Sequence, residues 1–94
     1  MVEMIKHLRN VHGMIRDVTI VGRYAGKTLS IGTSVRNPID QFNKKLAVTI
    51  ARGRAMKKPK YYLADPYWSD EFPLCSWYYF IDEIKNEHTP GETE

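Results

Sequence analysis

The clearest alternation of apolar and polar positions lies in the stretch IRDVTIVGRYAGKTLSIGTSVR. It reads as two β-branched runs around a turn, a hairpin over about residues 14–36. Ala25-Gly26 is expected at the tip, with Gly26 at positive φ in a bulged turn and Tyr24 opposite Lys27. Leu29, Ile31, Thr33 and Val35 alternate with Thr28, Ser30, Gly32 and Ser34. One face is thus apolar and the other small and polar. The polar face also carries Asp17, Thr19, Val21 and Arg23 from the first strand, and Arg36 beyond the second. Short side chains beside two arginines leave room for a ligand or another subunit, against the ordinary expectation of a solvent face.

A helical period follows over about residues 38–58. Asn37 is a favoured N-cap, Pro38 suits the first helical position and Asp40 the positive first turn. Ile39, Phe42, Leu46, Ile50 and Gly53 fall at helical spacing and are expected to form the buried stripe. Gly53 costs about 1 kcal/mol relative to alanine within a helix, which suggests close approach to the sheet or to another helix. Asn43, Ala47, Ala51, Arg54 and Lys58 form a second face whose small residues would admit another backbone. Pro59 ends the helix near Lys58, and Lys57 and Lys58 suit its negative end.

The flanking segments are less periodic. Val2, Ile5 and Leu8 fit one face of a short helix, with a strand the close alternative. The KYYLA stretch reads as a short strand, Asp65-Pro66 as a turn and 69–73 as loop. Near residues 74–86 a short helix through Leu74, Trp77, Ile81 and Ile84 is preferred to a strand, on the acids and lysine near its end. The expected fold class is α+β: a small antiparallel sheet on a central helix, as one domain over residues 1–88 with a polar tail at 89–94.

The chain has 94 residues, 43% of them hydrophobic. One cysteine, Cys75, excludes an internal disulfide and fits a reducing compartment. No apolar run approaches the roughly 18 residues of a membrane span. A cytoplasmic protein, helped by homo-oligomerisation, is expected. Charge changes the picture more. Residues 1–60 hold thirteen Lys or Arg against three acids, whereas residues 61–94 hold one lysine against eight acids. Nine of the eleven aromatics lie between Tyr61 and Phe80. Such segregation means that the two halves meet, within or between chains, or that each faces its own partner.

Catalytic signatures are missing. YAGKT lacks the first glycine and the following helix of a phosphate loop. His7, His12, His88 and Cys75 have no metal-ligand spacing, so no metal or cofactor is expected. Adjacent Asp82 and Glu83 diverge and make a poor acid–base pair. The chain is read as non-enzymatic, with cations and aromatics as its recognition chemistry. Arg52 and Arg54 lie about 200° apart around a helix and cannot serve one site on one monomer. Arg54, on the alanine face, could grip a phosphate bidentately. Tyr24 or a member of the Tyr61–Phe80 cluster could stack on a base.

With its preceding hairpin, the helix RNPIDQFNKKLAVTIARGRAMKK resembles the hairpin–helix units of small tailed-phage proteins. Asp40, Phe42, Asn43, Lys44, Lys45, Ile50, Ala51, Gly53, Arg54 and Ala55 carry the likeness, over roughly residues 15–58. It is similar to the anti-Thoeris sponges, oligomers that sequester a nucleotide-like immune signal without cleaving it. That resemblance implies a phage anti-defence protein. Arg54 would grip the anionic nucleotide near a subunit boundary, joined by Asn37 and by Arg36 or Arg23, with Tyr24 available to stack. The alternative is an inhibitor that binds a host defence or transcription protein through the aromatic, acidic last third, with Tyr67, Trp68, Asp70 and Glu71 at the contact. Nucleic-acid binding by the basic helix ranks last, because the acidic third would oppose it.

Overall fold

A computed structural model describes residues 1–9, 13, 14, 16–36, 43–69 and 74–89. Four strands form one open sheet in chain order: β1 (Val2–Leu8), β2 (Val18–Ala25), β3 (Thr28–Val35) and β4 (Tyr61–Ala64). Every neighbouring pair is antiparallel. Helix α1 (Lys44–Lys57) connects β3 to β4, and α2 (Cys75–Glu87) follows β4. The α+β class is therefore as expected, and the segment near 74–86 is a helix. The N-terminal segment is a strand, not the short helix preferred from sequence. Its pairing with all of β2 from Val18 to Tyr24 overrides the weak helical spacing of Val2, Ile5 and Leu8.

The hairpin differs from expectation by two residues in register. Tyr24 faces Leu29 and Ala25 faces Thr28, so Gly26 and Lys27 form the tip. Gly26 has φ +62 while Lys27 is not at positive φ, the pattern of a two-residue turn that needs glycine at its first central position. A shift by two leaves each side chain on its expected face, because strand side chains repeat with period two.

Both faces of the sheet are covered, one by each helix. Val18, Ile20, Leu29 and Ile31 face α2 and pack with its Trp77, Ile81 and Ile84 and with Leu8 and Leu74. Each of the large aliphatic side chains contributes about 1.5–3 kcal/mol by leaving water. On this face Gly22 makes room for the Trp77 ring; a Cβ there would lie 2.6 Å from it. At the far end of α2, Tyr61 stacks on Phe80 at 4.7 Å between centroids and donates its hydroxyl to Glu87. The Glu87 carboxylate, with burial and nearby acids, pushes the Tyr61 phenol up to about 12.

The small polar face is not a solvent face. It lies under α1, and the contact surface of α1 is the alanine face rather than the expected apolar stripe. Ala51 and Ala55 are buried. Leu46 is 54% exposed, Ile50 37% and Met56 62%. Gly32 is the reason. A Cβ at Gly32 would collide with the Ala51 carbonyl and the Ala55 amide nitrogen, so helix backbone lies directly on strand backbone. Leucine or isoleucine would hold the helix away from this strand, whereas alanine does not. The close approach expected of Gly53 thus belongs to Gly32: among the described residues a Cβ at Gly53 would meet nothing within 4 Å.

The helix ends are set locally. Asn43, not Asn37, caps the described helix and accepts a hydrogen bond from the Leu46 amide at 3.0 Å. Asn37, Pro38, Ile39, Asp40 and Phe42 lie outside the described residues. At the other end Lys58 donates its backbone N–H to Arg54 before Pro59, and Lys60 donates to the Ile31 carbonyl at 2.7 Å, starting β4.

Gly32→Ala should destabilise by about 1–3 kcal/mol through overpacking. Gly53→Ala should stabilise by up to about 1 kcal/mol through helix propensity. Urea titrations of both variants against wild type test which glycine is the contact.

Candidate functional site

The basic side chains of α1 are largely engaged within the protein. Arg52 reaches towards β1 and grips Glu3 through two nitrogens, at 2.7 Å and 2.8 Å. Arg23 approaches the same carboxylate from β2 at 2.9 Å. The Arg52 hydrogen bond and the two positive charges hold the Glu3 carboxyl below its usual range, against partial burial. Arg54 points to the opposite side of the helix and donates Nη1 to the Thr33 carbonyl at 2.8 Å. β4 pairs with β3 only from Thr28 to Ile31, so Arg54 holds the strand edge that β4 leaves beyond Ile31. The angular divergence of Arg52 and Arg54 is as the helical period requires. Lys60 pairs with Glu87 at 2.8 Å. Lys44 lies near His7, whose ring is 2.9 Å from the Thr19 hydroxyl. Burial first, then Lys44 and Arg9, lowers the His7 pKa.

The residues expected to hold an anionic nucleotide are divided by the fold. Arg23 and Tyr24 are consecutive strand residues and point to opposite faces of the sheet. Arg23 lies on the α1 face against Glu3. Tyr24 stacks on Trp68 at 5.9 Å between centroids. Arg36 lies beyond β3 and donates Nε to Asp17 at 3.2 Å, with Arg9 4.0 Å from the same carboxylate. Arg54 is on the outer side of β3. Asn37 lies outside the described residues. The four described residues do not line one cavity in the single chain.

Apart from Tyr62, exposed on β4, the described aromatics of the last third separate into two sets. Trp77, with half-buried Tyr61 and Phe80, belongs to the core. Tyr67, Trp68, Tyr78 and Tyr79 are each about half exposed or more. Tyr78 and Tyr79 belong to the N-terminal half of α2, and Tyr67 is bonded to its first turn. Cys75 donates its backbone N–H to the Tyr67 carbonyl at 3.1 Å, and the Tyr67 N–H donates to Ser76 Oγ at 2.9 Å. These bonds fix the loop on the first turn of the helix, and Trp68 is held further by its stack on Tyr24. Asp82 and Glu83 lie one turn along the helix. Glu83 accepts a hydrogen bond from Tyr79 and pushes that phenol up, which keeps it protonated. Of the contact residues expected from sequence, Tyr67 and Trp68 are therefore exposed and adjacent, while Asp70 and Glu71 lie outside the described residues. Tyr78 and Tyr79 lie in the aromatic, acidic last third but are not singled out from sequence, because a helical reading of this segment marks only its buried stripe.

Among the described residues no group of three or more His, Cys, Asp or Glu is arranged to hold a metal ion. None of the described helices is long and apolar enough to cross a membrane. The fold defines an α+β protein with an open four-stranded antiparallel meander between two helices. Comparison with protein families, with curated proteins and with solved structures gave no match.

Glu3 gives a pH dependence with a definite sign. Its folded pKa is depressed, so its contribution to stability is present above the unfolded value of about 4.3 and is lost as pH falls through the folded value. Glu3→Gln should therefore be less stable than wild type near neutrality, and the gap should narrow in acid. Thermal melts of the two proteins from neutral to acidic pH measure it.

Proposed function

We propose that the protein is a non-enzymatic binding protein that occupies a protein partner through the aromatic, acidic face around the N-terminal half of α2. The observation that carries this reading is the exposure of Tyr67, Trp68, Tyr78 and Tyr79, with Tyr67 bonded to the first turn of α2 and Tyr79 to Glu83. Tyrosine and tryptophan offer large contact area at low entropic cost and dominate binding hot spots. The carboxylates favour a partner with a basic surface and speed its encounter. The resemblance of the helix to phage hairpin–helix proteins makes an inhibitor of a host defence protein the role that fits this face.

Immobilised wild-type protein should retain such a partner from a host extract, and Trp68→Ala should weaken retention at least ~tenfold while leaving the thermal melt near that of wild type. Equal retention by both proteins, or no retained partner, overturns the reading.

Sequestration of an anionic nucleotide is the second reading. Its support is Arg54, an exposed guanidinium at the strand edge beyond β4, where a neighbouring chain could complete a site. Native mass spectrometry of freshly purified protein, repeated after denaturation, should then release a nucleotide-sized mass from an oligomer. Arg54→Ala should lose that mass without unfolding; an empty oligomer rejects the reading.

A further inference from the structure

The outer face of α1 has no account among the described residues. Leu46, Ile50 and Met56 point away from the sheet, and Gly53 lies between them on the same side of the helix. A glycine in a helix interior costs about 1 kcal/mol, and among the described residues none occupies the space a Cβ would take. Gly32 and Gly22 each accommodate a neighbour, whereas at Gly53 no described residue comes within 4 Å of the Cβ position, which leaves a notch open to a partner. By the helical period the exposed cations on this outward side are Lys45 and Lys57, and no acid lies between Asn43 and Lys60.

The complementary surface is on the same molecule but faces the other way. Tyr79 projects from the outer side of α2 beside Asp82 and Glu83, and the sheet lies between the two helices. One chain cannot bring these faces together. Two chains can.

We infer that the outer face of α1 is the docking site for the α2 face of a second copy of this chain, with the Tyr79 ring seated over Gly53 between Ile50 and Met56. The apolar stem of the ring covers the exposed aliphatic side chains. The carboxylates of Asp82 and Glu83 meet the Lys45 and Lys57 ammonium groups. The contact is head-to-tail, so each chain offers one donor and one acceptor face, and association grows beyond two unless the rotation closes a ring. This inference rests on the proposed reading of the α2 face as a protein-binding surface and names one occupant for it. The second copy and an outside partner would compete for that face.

Sedimentation velocity of the full chain tests it, over a concentration series at low and high ionic strength. Wild type should show a mass that rises with concentration above the 11.0 kDa of one chain and falls with salt. Gly53→Gln fills the notch. It should melt higher than wild type yet weaken association at least ~tenfold, an outcome a merely local role for the glycine would not give. Tyr79→Ser should weaken association equally from the other face. Mixed together, the two variants retain one intact face each and should form a pair and nothing larger. The inference is overturned if wild type remains at the single-chain mass, if Gly53→Gln associates like wild type, or if the two variants do not pair. Because Gly53 is outside the α2 face, partner retention by Gly53→Gln separates the two proposals. Retention preserved with association unchanged defeats only the self-docking. Loss of retention on Trp68→Ala is not required for the pair to form.

Discussion

Direct backbone contact between α1 and β3 at Gly32 decides the arrangement of the whole molecule. Only a residue without a side chain lets helix and strand meet there, and only the alanine side of α1 is shallow enough to use the opening. Once Ala51 and Ala55 turn inward, the remaining geometry of the helix follows from its period. Arg52 falls over β1 and Arg54 over the outer edge of β3, while the larger aliphatic side chains are left outside. The contact thus exchanges area for proximity. It buries little side chain, but leaves the bulkier apolar face of the sheet to α2, where Trp77, Ile81 and Ile84 fill it.

Charge is organised around the same layering. The acid Glu3 is the hub on the α1 side, shared by one arginine from the helix and one from the adjacent strand. Glu87 plays the corresponding part between β4 and the end of α2, where Lys60 and Tyr61 converge. These two clusters tie the helices to the edge strands. They also consume arginines and a lysine that, counted along the sequence, give the impression of a basic ligand-binding strip. What remains for outside recognition is segregated by the sheet, cationic with aliphatic on one side and anionic with aromatic on the other.

Local chemistry was legible in the sequence wherever it depended on near neighbours. The hairpin, the alternation of its faces, the stop at Pro59 and the short strand at KYYLA all follow from adjacent residues, and so does the divergence of Arg52 and Arg54. Misreadings arose where two layers competed for one element. Leu46 and Ile50 form a better apolar stripe than Ala51 and Ala55, and spacing alone prefers them. The sheet overrules it because Gly32, far away in the chain, sets the allowed distance. Likewise β1 has helical spacing in isolation, and only the seven-residue ladder to β2 makes it a strand. The exposed tyrosines of α2 were hidden for a related reason: a run of aromatics reads as core until the packing of Trp77, Ile81 and Ile84 on the sheet shows which of them are outside.

The strand order has a kinetic side. Each strand pairs with the one next to it in sequence, and the β2–β3 connection is a two-residue turn. Loop-closure entropy is therefore smallest for that pairing, larger for β1 with β2, and largest for the step that brings β4 back across α1. Rates of folding follow the sequence separation of contacts. The β2–β3 hairpin is the natural nucleus, and docking of α1 onto Gly32 is the step that brings Tyr61–Ala64 within reach of the sheet. Until that docking occurs, the outer edge of β3 is open to pairing with another chain, which makes the glycine a guard against misassembly as well as a packing device.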